Sequence, residues 1–184
     1  MRQVKGTMLA MIVKSIKYNK SKKDEYDRIL SNKAKEFLNQ RILSSSWYPY
    51  ELYKELYDAL CFVEARNNPR VLNQWGREQA DRLMSTVYKV SLFKGDLKLA
   101  VERYSRFHRM VFNFGEIDTK FISDTKIIFI YPNFDPSWEN HYHTAAGYAQ
   151  RFIELCIDKK PDFTFLKKSW KGEGWTEIML SWSP

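Results

Sequence analysis

The sequence has little of what marks a metal centre, a disulfide framework or a membrane span. Its two cysteines, Cys61 and Cys156, each lack a second thiol or a histidine at the spacing of a zinc site. We interpret both as reduced thiols buried by amphipathic helices. The longest apolar run, 8–13, is far too short to cross a bilayer, and lysines bracket it too closely for a signal peptide. These absences predict a cytoplasmic protein without a metal ion.

Common catalytic motifs are missing as well. The chain has no phosphate-binding P-loop, no dinucleotide-binding glycine motif, no nucleophile elbow and no His-Glu-x-x-His zinc motif. No pair of carboxylates is marked by its context as an acid and base couple. The sequence therefore leans against an enzyme. An enzyme of unknown class stays as an alternative, which requires a carboxylate or His108 to face a substrate.

Glycine and proline are scarce, at 7 and 6 of 184 residues, while hydrophobic residues make up 44% and aromatic residues 16%. That composition is typical of a packed globular chain and not of a disordered one. No internal repeat, low-complexity segment or long linker interrupts it. The sequence predicts one domain over residues 1–184.

The period of the apolar residues changes near residue 112. Before it, apolar residues recur every three or four positions, which predicts helices over about 4–16, 21–39, 50–66, 69–90 and 96–110. After it, two strand pairs flank one helix that starts near residue 135, with strands predicted over 114–122, 126–131, 163–170 and 175–182. We predict an α+β fold: a helical N-terminal two thirds (1–111) packed on a C-terminal antiparallel ββαββ module (112–184).

Positive charge is in excess, with 30 Lys and Arg against 22 Asp and Glu, a net charge of +8 and a pI near 9.4. The excess is concentrated in one early segment. A solvated helix end accounts for such a run, but so does a surface for phosphate. One alternative function is therefore a nucleic-acid or anionic-surface binding protein that uses the lysines at Lys14, Lys17, Lys20, Lys22 and Lys23.

Aromatic residues are numerous enough to line a pocket as well as to fill a core. The helix predicted before residue 111 places Tyr104 and His108 on its apolar side, where an imidazole serves either as an axial ligand or as a hydrogen-bonded core residue. His141 and His143 lie only two positions apart, and on a helix they point in different directions. The candidate ligand-binding residues are Trp47, Tyr48, Tyr88, Tyr104, His108 and Tyr142.

Several short strings carry a resemblance that spans nearly the whole chain. They are Lys5-Gly6-Thr7, Tyr26-Asp27-Arg28-Ile29-Leu30, Trp47-Tyr48-Pro49 ahead of Leu52-Tyr53, Phe112-Asn113-Phe114-Gly115, and the hairpin from Lys171-Gly172 to Trp182. In these strings and in the order of its elements, the chain resembles an uncharacterised bacterial family that is abundant as paralogues in myxobacteria. That family is distantly similar to haem–nitric-oxide-binding and vinyl-reductase-type small-ligand domains.

The resemblance implies a ligand held between a helical subdomain and the ββαββ module. With the aromatic residues, it leads us to expect a non-enzymatic sensor or adaptor that binds a small apolar ligand and acts through a signalling protein. In haem–nitric-oxide-binding domains the axial histidine is followed by a Tyr-x-Ser-x-Arg motif, whereas Tyr104-Ser105-Arg106 precedes His108. The cysteine cluster of vinyl-reductase-type domains is absent from 162–184. We therefore expect no cofactor, neither haem nor a metal ion.

Overall fold

The computed structural model describes residues 1–85 and 95–184, which divide into two compact units. The first unit comprises Met1–Asn68 and Met110–Phe114, and the second comprises Pro69–Arg109 and Gly115–Pro184. The units therefore do not follow the predicted division at residue 111, because each is built from two separate segments of the chain. We describe each unit by itself.

The first unit is helical apart from a small two-stranded antiparallel sheet. In that sheet Val4 lies opposite Tyr48, and Val4 also forms an isolated bridge with Phe112, so the strand joins both segments of the unit. The elements in chain order are β1 (Gln3–Lys5), α1 (Gly6–Tyr18), a 3-10 turn (Lys20–Lys22), α2 (Lys23–Ile29), α3 (Asn32–Leu38), β2 (Trp47–Pro49) and α4 (Tyr50–Ala65).

The prediction of one continuous helix over 21–39 was wrong, because the chain breaks between α2 and α3. Leu30 is extended, and Ser31 caps α3 by accepting a hydrogen bond from the Ala34 N–H at 3.2 Å. The carboxylate of Glu55 on α4 accepts from the Ser31 N–H at 2.6 Å and from its hydroxyl at 3.1 Å. A contact from 24 residues away therefore fixes a boundary that local periodicity does not reveal.

The second unit combines helices with a four-stranded antiparallel sheet in the order β3-β4-β6-β5. The predicted ββαββ order is confirmed, since one helix separates two strand pairs. Strand β5 ends before the predicted residue 170, because a 3-10 turn follows it. The elements are α5 (Pro69–Met84), α6 (Leu97–Val111), β3 (Asp118–Ser123), β4 (Lys126–Tyr131), α7 (Glu139–Ile157), β5 (Asp162–Lys167), a 3-10 turn (Ser169–Lys171) and β6 (Thr176–Ser181).

The central strands of this sheet alternate between a buried and a half-buried face. On β6, Thr176, Ile178 and Leu180 share one face of the strand and are buried. In register with them on β4 lie the buried side chains of Tyr131, Phe129 and Ile127. The buried face of the sheet is therefore lined by aromatic and branched apolar side chains.

Helices α5 and α7 cross in very close contact because each contributes a glycine at the crossing. A Cβ atom added to Gly76 would lie 1.9 Å from the carbonyl oxygen of Thr144, and one added to Gly147 would lie 1.9 Å from the carbonyl oxygen of Asn73. Beside the crossing, the Asn73 amide donates to Gln150 Oε1 at 2.9 Å. The close approach of α5 and α7 therefore depends on Gly76 and Gly147.

Across residues 1–85 and 95–184, every helix falls short of the length and apolar character needed to span a membrane.

Candidate ligand site

Helix α6 positions two of the predicted ligand-binding residues on its buried side. Asp96 caps the helix, since its Oδ1 accepts from the Leu99 N–H at 3.0 Å. From this start, the helical period buries Val101, Tyr104 and His108 while Arg106 stays exposed. The stripe predicted from the sequence therefore points inward.

His108 is 4% exposed and packs against an aromatic residue of the loop between β4 and α7. Its ring meets the Phe134 ring edge to face, with centroids 5.2 Å apart. Gly115, at φ +69°, makes room for Phe134, because a Cβ at this position would lie 2.6 Å from Phe134 Cδ2. Phe134 in turn contacts the rings of His141 at 4.8 Å and Trp138 at 6.1 Å.

Tyr104 lies four residues before His108, among aromatic rings of the sheet and α7. Its ring centroid is 4.9 Å from that of Phe129 and 5.2 Å from that of Phe152. Its hydroxyl oxygen is 3.3 Å from the hydroxyl oxygen of Tyr131. Burial raises the pKa of Tyr104 to about 12, and burial also holds the pKa of Tyr131 well above its usual range. Both phenols therefore stay protonated at neutral pH.

Tyr142 joins the same cluster from α7. Its hydroxyl donates to the backbone oxygen of Asp135 at 2.9 Å, and its ring stacks on Trp170 at 5.4 Å. It contacts the ring of Tyr131 at 5.7 Å and that of Phe134 at 6.3 Å. Tyr104, His108 and Tyr142 are thus brought together through Tyr131 and Phe134.

Tyr131 and Phe134 were not among the residues nominated from the sequence. Tyr131 ends the inward-facing alternation of β4, a signal that was present in the sequence. Phe134 follows in a loop, where periodicity gives no direction for a side chain.

Trp47 and Tyr48 belong to the first unit. Trp47 is 37% exposed, and Lys5 Nζ lies 4.2 Å from its ring centroid. The Tyr48 hydroxyl accepts from the Leu43 N–H at 2.8 Å, and its ring meets that of Phe37 at 5.7 Å. These contacts account for both side chains within their own unit. Tyr88 lies outside the described residues.

The lysines of the early basic segment differ in their surroundings. Lys22 Nζ donates to the Val63 carbonyl at 3.0 Å and lies 3.5 Å from Glu64 Oε2, and Lys23 forms an ion pair with Asp27. Lys14 lies over the Tyr18 ring, with Nζ 5.6 Å from its centroid. Lys17 and Lys20 are exposed. Two of the five cations are therefore already matched by carboxylates, which leaves less charge for a phosphate surface than the sequence indicates.

No group of three or more His, Cys, Asp and Glu side chains gathers to hold a metal ion within 1–85 and 95–184. Cys61 and Cys156 are buried thiols, as expected, and burial raises the pKa of Cys61.

The fold is similar over almost the whole chain to solved H-NOX domains, although no family model and no curated protein matches the sequence. A mutant H-NOX protein from K. algicida, in its Fe(II) unliganded form, has a TM-score of 0.65 at 10% identity, covering 98% of this chain and 97% of that one. An oxygen-binding H-NOX domain related to soluble guanylate cyclases has a TM-score of 0.63 at 9% identity, with coverage of 98% and 95%. An H-NOX protein used to probe haem distortion has a TM-score of 0.65 at 13% identity, again with 98% and 95%.

These similarities contradict the expectation of no cofactor, because proteins of this fold are described as haem proteins. That expectation rested on the spacing of one short motif, whereas the fold and the buried imidazole are independent of it.

One side chain of the second unit, that of His108, is of the type that ligates haem iron. His108 offers a single buried imidazole on an apolar helix face, which suits an axial ligand. The propionates would need other partners than a Tyr-x-Ser-x-Arg motif, since the fourth residues after Tyr131, Tyr142 and Tyr148 are Asp135, Ala146 and Phe152. The resemblance noted from the sequence is nevertheless confirmed at the level of architecture: the chain has the fold of the H-NOX, or haem–nitric-oxide-binding, domains.

Proposed function

We propose that this chain is a haem-based sensor domain for a small ligand, with His108 as the ligand to the iron. The observation that carries the proposal is the position of a buried histidine on α6, in a chain that is similar to H-NOX domains over 98% of its length. The proposal includes no catalytic reaction.

The surroundings of His108 support the role of an axial ligand. An imidazole binds iron through the lone pair of a ring nitrogen, and the buried His108 ring lies on the apolar side of α6. When bound, haem would supply an iron centre with a coordination position for a small molecule. Phe134 packs against the His108 ring and limits its rotation.

Tyr104 and Tyr131 add polarity to an otherwise apolar cluster. Their pKa values are raised by burial, so both hydroxyls remain neutral groups that donate as well as accept. Tyr104 follows the same buried stripe as His108, one helical turn earlier. We propose that this hydroxyl pair contributes polar contacts at the ligand site, with the flanking rings excluding water.

We further propose that the ligand state is passed to a protein partner through α6. A helix moves as a rigid rod, so a displacement at His108 also moves the side chains on its opposite face. That face exposes Glu102, Arg106 and Arg109. It therefore offers charged groups to a partner at a short distance from the proposed iron ligand.

Haem binding by His108 is tested by expressing the protein with added iron and haem precursor and measuring the absorption of the purified chain. We expect a Soret band in the wild type and a large loss of haem in His108→Gly. Imidazole added to His108→Gly should restore the band, because it replaces the missing ligand.

His143→Gln is the matched control, since His143 lies in the same unit and contacts Phe165 and Trp170 instead of Phe134. It should keep the wild-type haem content, and circular dichroism should report a folded chain for both variants. A wild type that takes up no haem even when titrated with hemin would refute the proposal. A Soret band unchanged by His108→Gly would refute the assignment of the ligand.

A further inference from the structure

His143 lies where the first half of α7 meets the turn between β5 and β6. Its side chain is 13% exposed and is packed against two aromatic residues of that hairpin. Its ring centroid is 5.3 Å from that of Phe165, with the planes at 89°, and 5.8 Å from that of Trp170. A titratable ring therefore forms part of the contact between a helix and a sheet turn of the second unit.

Aromatic rings form part of the contact between the turn and α7. Trp170 stacks on Tyr142 at 5.4 Å and meets Phe165 at 5.1 Å. Its indole nitrogen is buried and has no hydrogen-bond partner among the described residues. The hydroxyls of Ser169 and Thr176, 2.8 Å apart, tie the turn to β6, and both also hydrogen-bond with the Tyr142 side chain on α7. The Trp170 side chain itself is docked on α7 through ring contacts, those with Tyr142 and His143.

Two charged groups act on the His143 ring, and they act in opposite directions. Glu139, one turn earlier on α7, has its Oε1 3.6 Å from His143 Nε2 and favours the protonated ring. Lys168, at the start of the turn, disfavours it, as does burial itself. The Glu139 side chain is 49% exposed, so water weakens the attraction between its carboxylate and a protonated His143 ring. The cost of burying a charged ring is not reduced in this way.

We propose that His143 makes the docking of the Trp170 side chain on α7 sensitive to pH: the neutral imidazole holds the indole ring, and the imidazolium releases it. This device does not rest on the proposed haem function, since it is argued from the contacts of His143 and Trp170 alone. Burial lowers the pKa of His143 below its ordinary value, and Glu139 only partly opposes that effect. Release therefore begins on the acidic side of neutrality.

The test follows the indole N–H resonance of Trp170 in protein labelled with ¹⁵N-tryptophan, between pH 8 and pH 5, with Trp170→Phe used to assign the peak. We expect the peak of the docked state to be lost as the pH falls. In His143→Gln, which keeps a neutral polar side chain of similar reach, the peak should persist to pH 5. In Glu139→Gln the midpoint should move to lower pH, because the group that favours protonation has been neutralised.

His141→Gln is the control, since His141 contacts Phe134 and Trp138 and should leave the titration of Trp170 unchanged. A Trp170 peak that does not change with pH in the wild type would overturn the proposal. So would a loss of the peak that His143→Gln does not prevent, or a midpoint raised by Glu139→Gln. Peak loss is read directly from folded protein, so the result is independent of whether haem is bound.

Discussion

The two units bury tyrosine hydroxyls in different ways. In the first unit, Tyr26 donates to Glu64 Oε1 at 2.7 Å, and the same oxygen accepts from Asn19 at 2.6 Å. In the second unit, the hydroxyls of Tyr104 and Tyr131 face each other at 3.3 Å among aromatic rings. A charge-assisted bond is roughly twice as strong as a neutral one. The hydrogen bond to Glu64 therefore stabilises the first unit. The hydroxyl pair of the second unit is weakly bonded and lies in an apolar cluster, which would suit the proposed ligand site.

The largest expected effect comes from Gly147→Ala, which tests how far the second unit's cluster depends on the position of α7. The new methyl group would meet the carbonyl oxygen of Asn73, and the backbones of two helices must move apart. We expect the free energy of unfolding to fall by about 3 kcal/mol. Urea denaturation measures the change. Ala149→Ser, a small substitution on the same helix, is a milder control, and equal losses in both would argue against the crossing as the cause.

Removing the first unit's carboxylate should have the next largest effect. Glu64→Ala leaves the Tyr26 hydroxyl and the Asn19 amide without their common acceptor. We expect a loss of about 2–3 kcal/mol, which is the cost of leaving such partly buried groups unpaired. The comparison variant is Glu102→Ala at an exposed position of α6, for which a change within about 0.5 kcal/mol is expected. If Glu64→Ala left the free energy of unfolding unchanged, the two units would not differ in how strongly they bind their buried tyrosine hydroxyls.

Tyr104→Phe sharpens the comparison directly, because it removes only the hydroxyl. We expect it to cost about 0.5 kcal/mol or less, since the hydroxyl pair is neutral and long. Tyr26→Phe should cost about 1.5 kcal/mol, because its bond is to a carboxylate. Thermal denaturation of both variants side by side measures the difference. If Tyr104→Phe were the more damaging change, the hydroxyl pair would be a structural tie as well.

The smallest expected effect is the pH dependence that comes from His143. Since its pKa is lowered in the folded chain, the native state binds the proton less readily than the unfolded state. This contribution to stability is therefore present above the unfolded pKa of histidine, near 6.5, and is lost as the pH falls below it. Denaturation of wild type and His143→Gln at pH 8 and pH 5 isolates the contribution. Between pH 8 and pH 5, the free energy of unfolding of the wild type should fall relative to that of His143→Gln.

The sequence itself determined the elements whose signals are local. The ββαββ order follows from the change in apolar period, and the inward direction of His108 follows from its place on the stripe of α6, because a helix with 3.6 residues per turn leaves no other face for it. The N-cap at Asp96 and the start of α4 after Pro49 are equally local. For the same reason, the alternation of β6 divides its side chains between two faces, and the structure buries the one with Ile178 and Leu180.

Tertiary structure alone decided the rest, because it depends on residues far apart in the chain. Glu55 accepts a hydrogen bond from the Ser31 N–H, where the predicted helix is broken. Glu64 forms an ion pair with Lys22, a side chain that the sequence alone leaves available to bind an anion. Phe134 reaches His108 from a loop that carries no period. The expectation of no cofactor failed for the same reason: it was inferred from a motif along the chain, whereas the similarity to H-NOX domains lies in the three-dimensional arrangement of the chain.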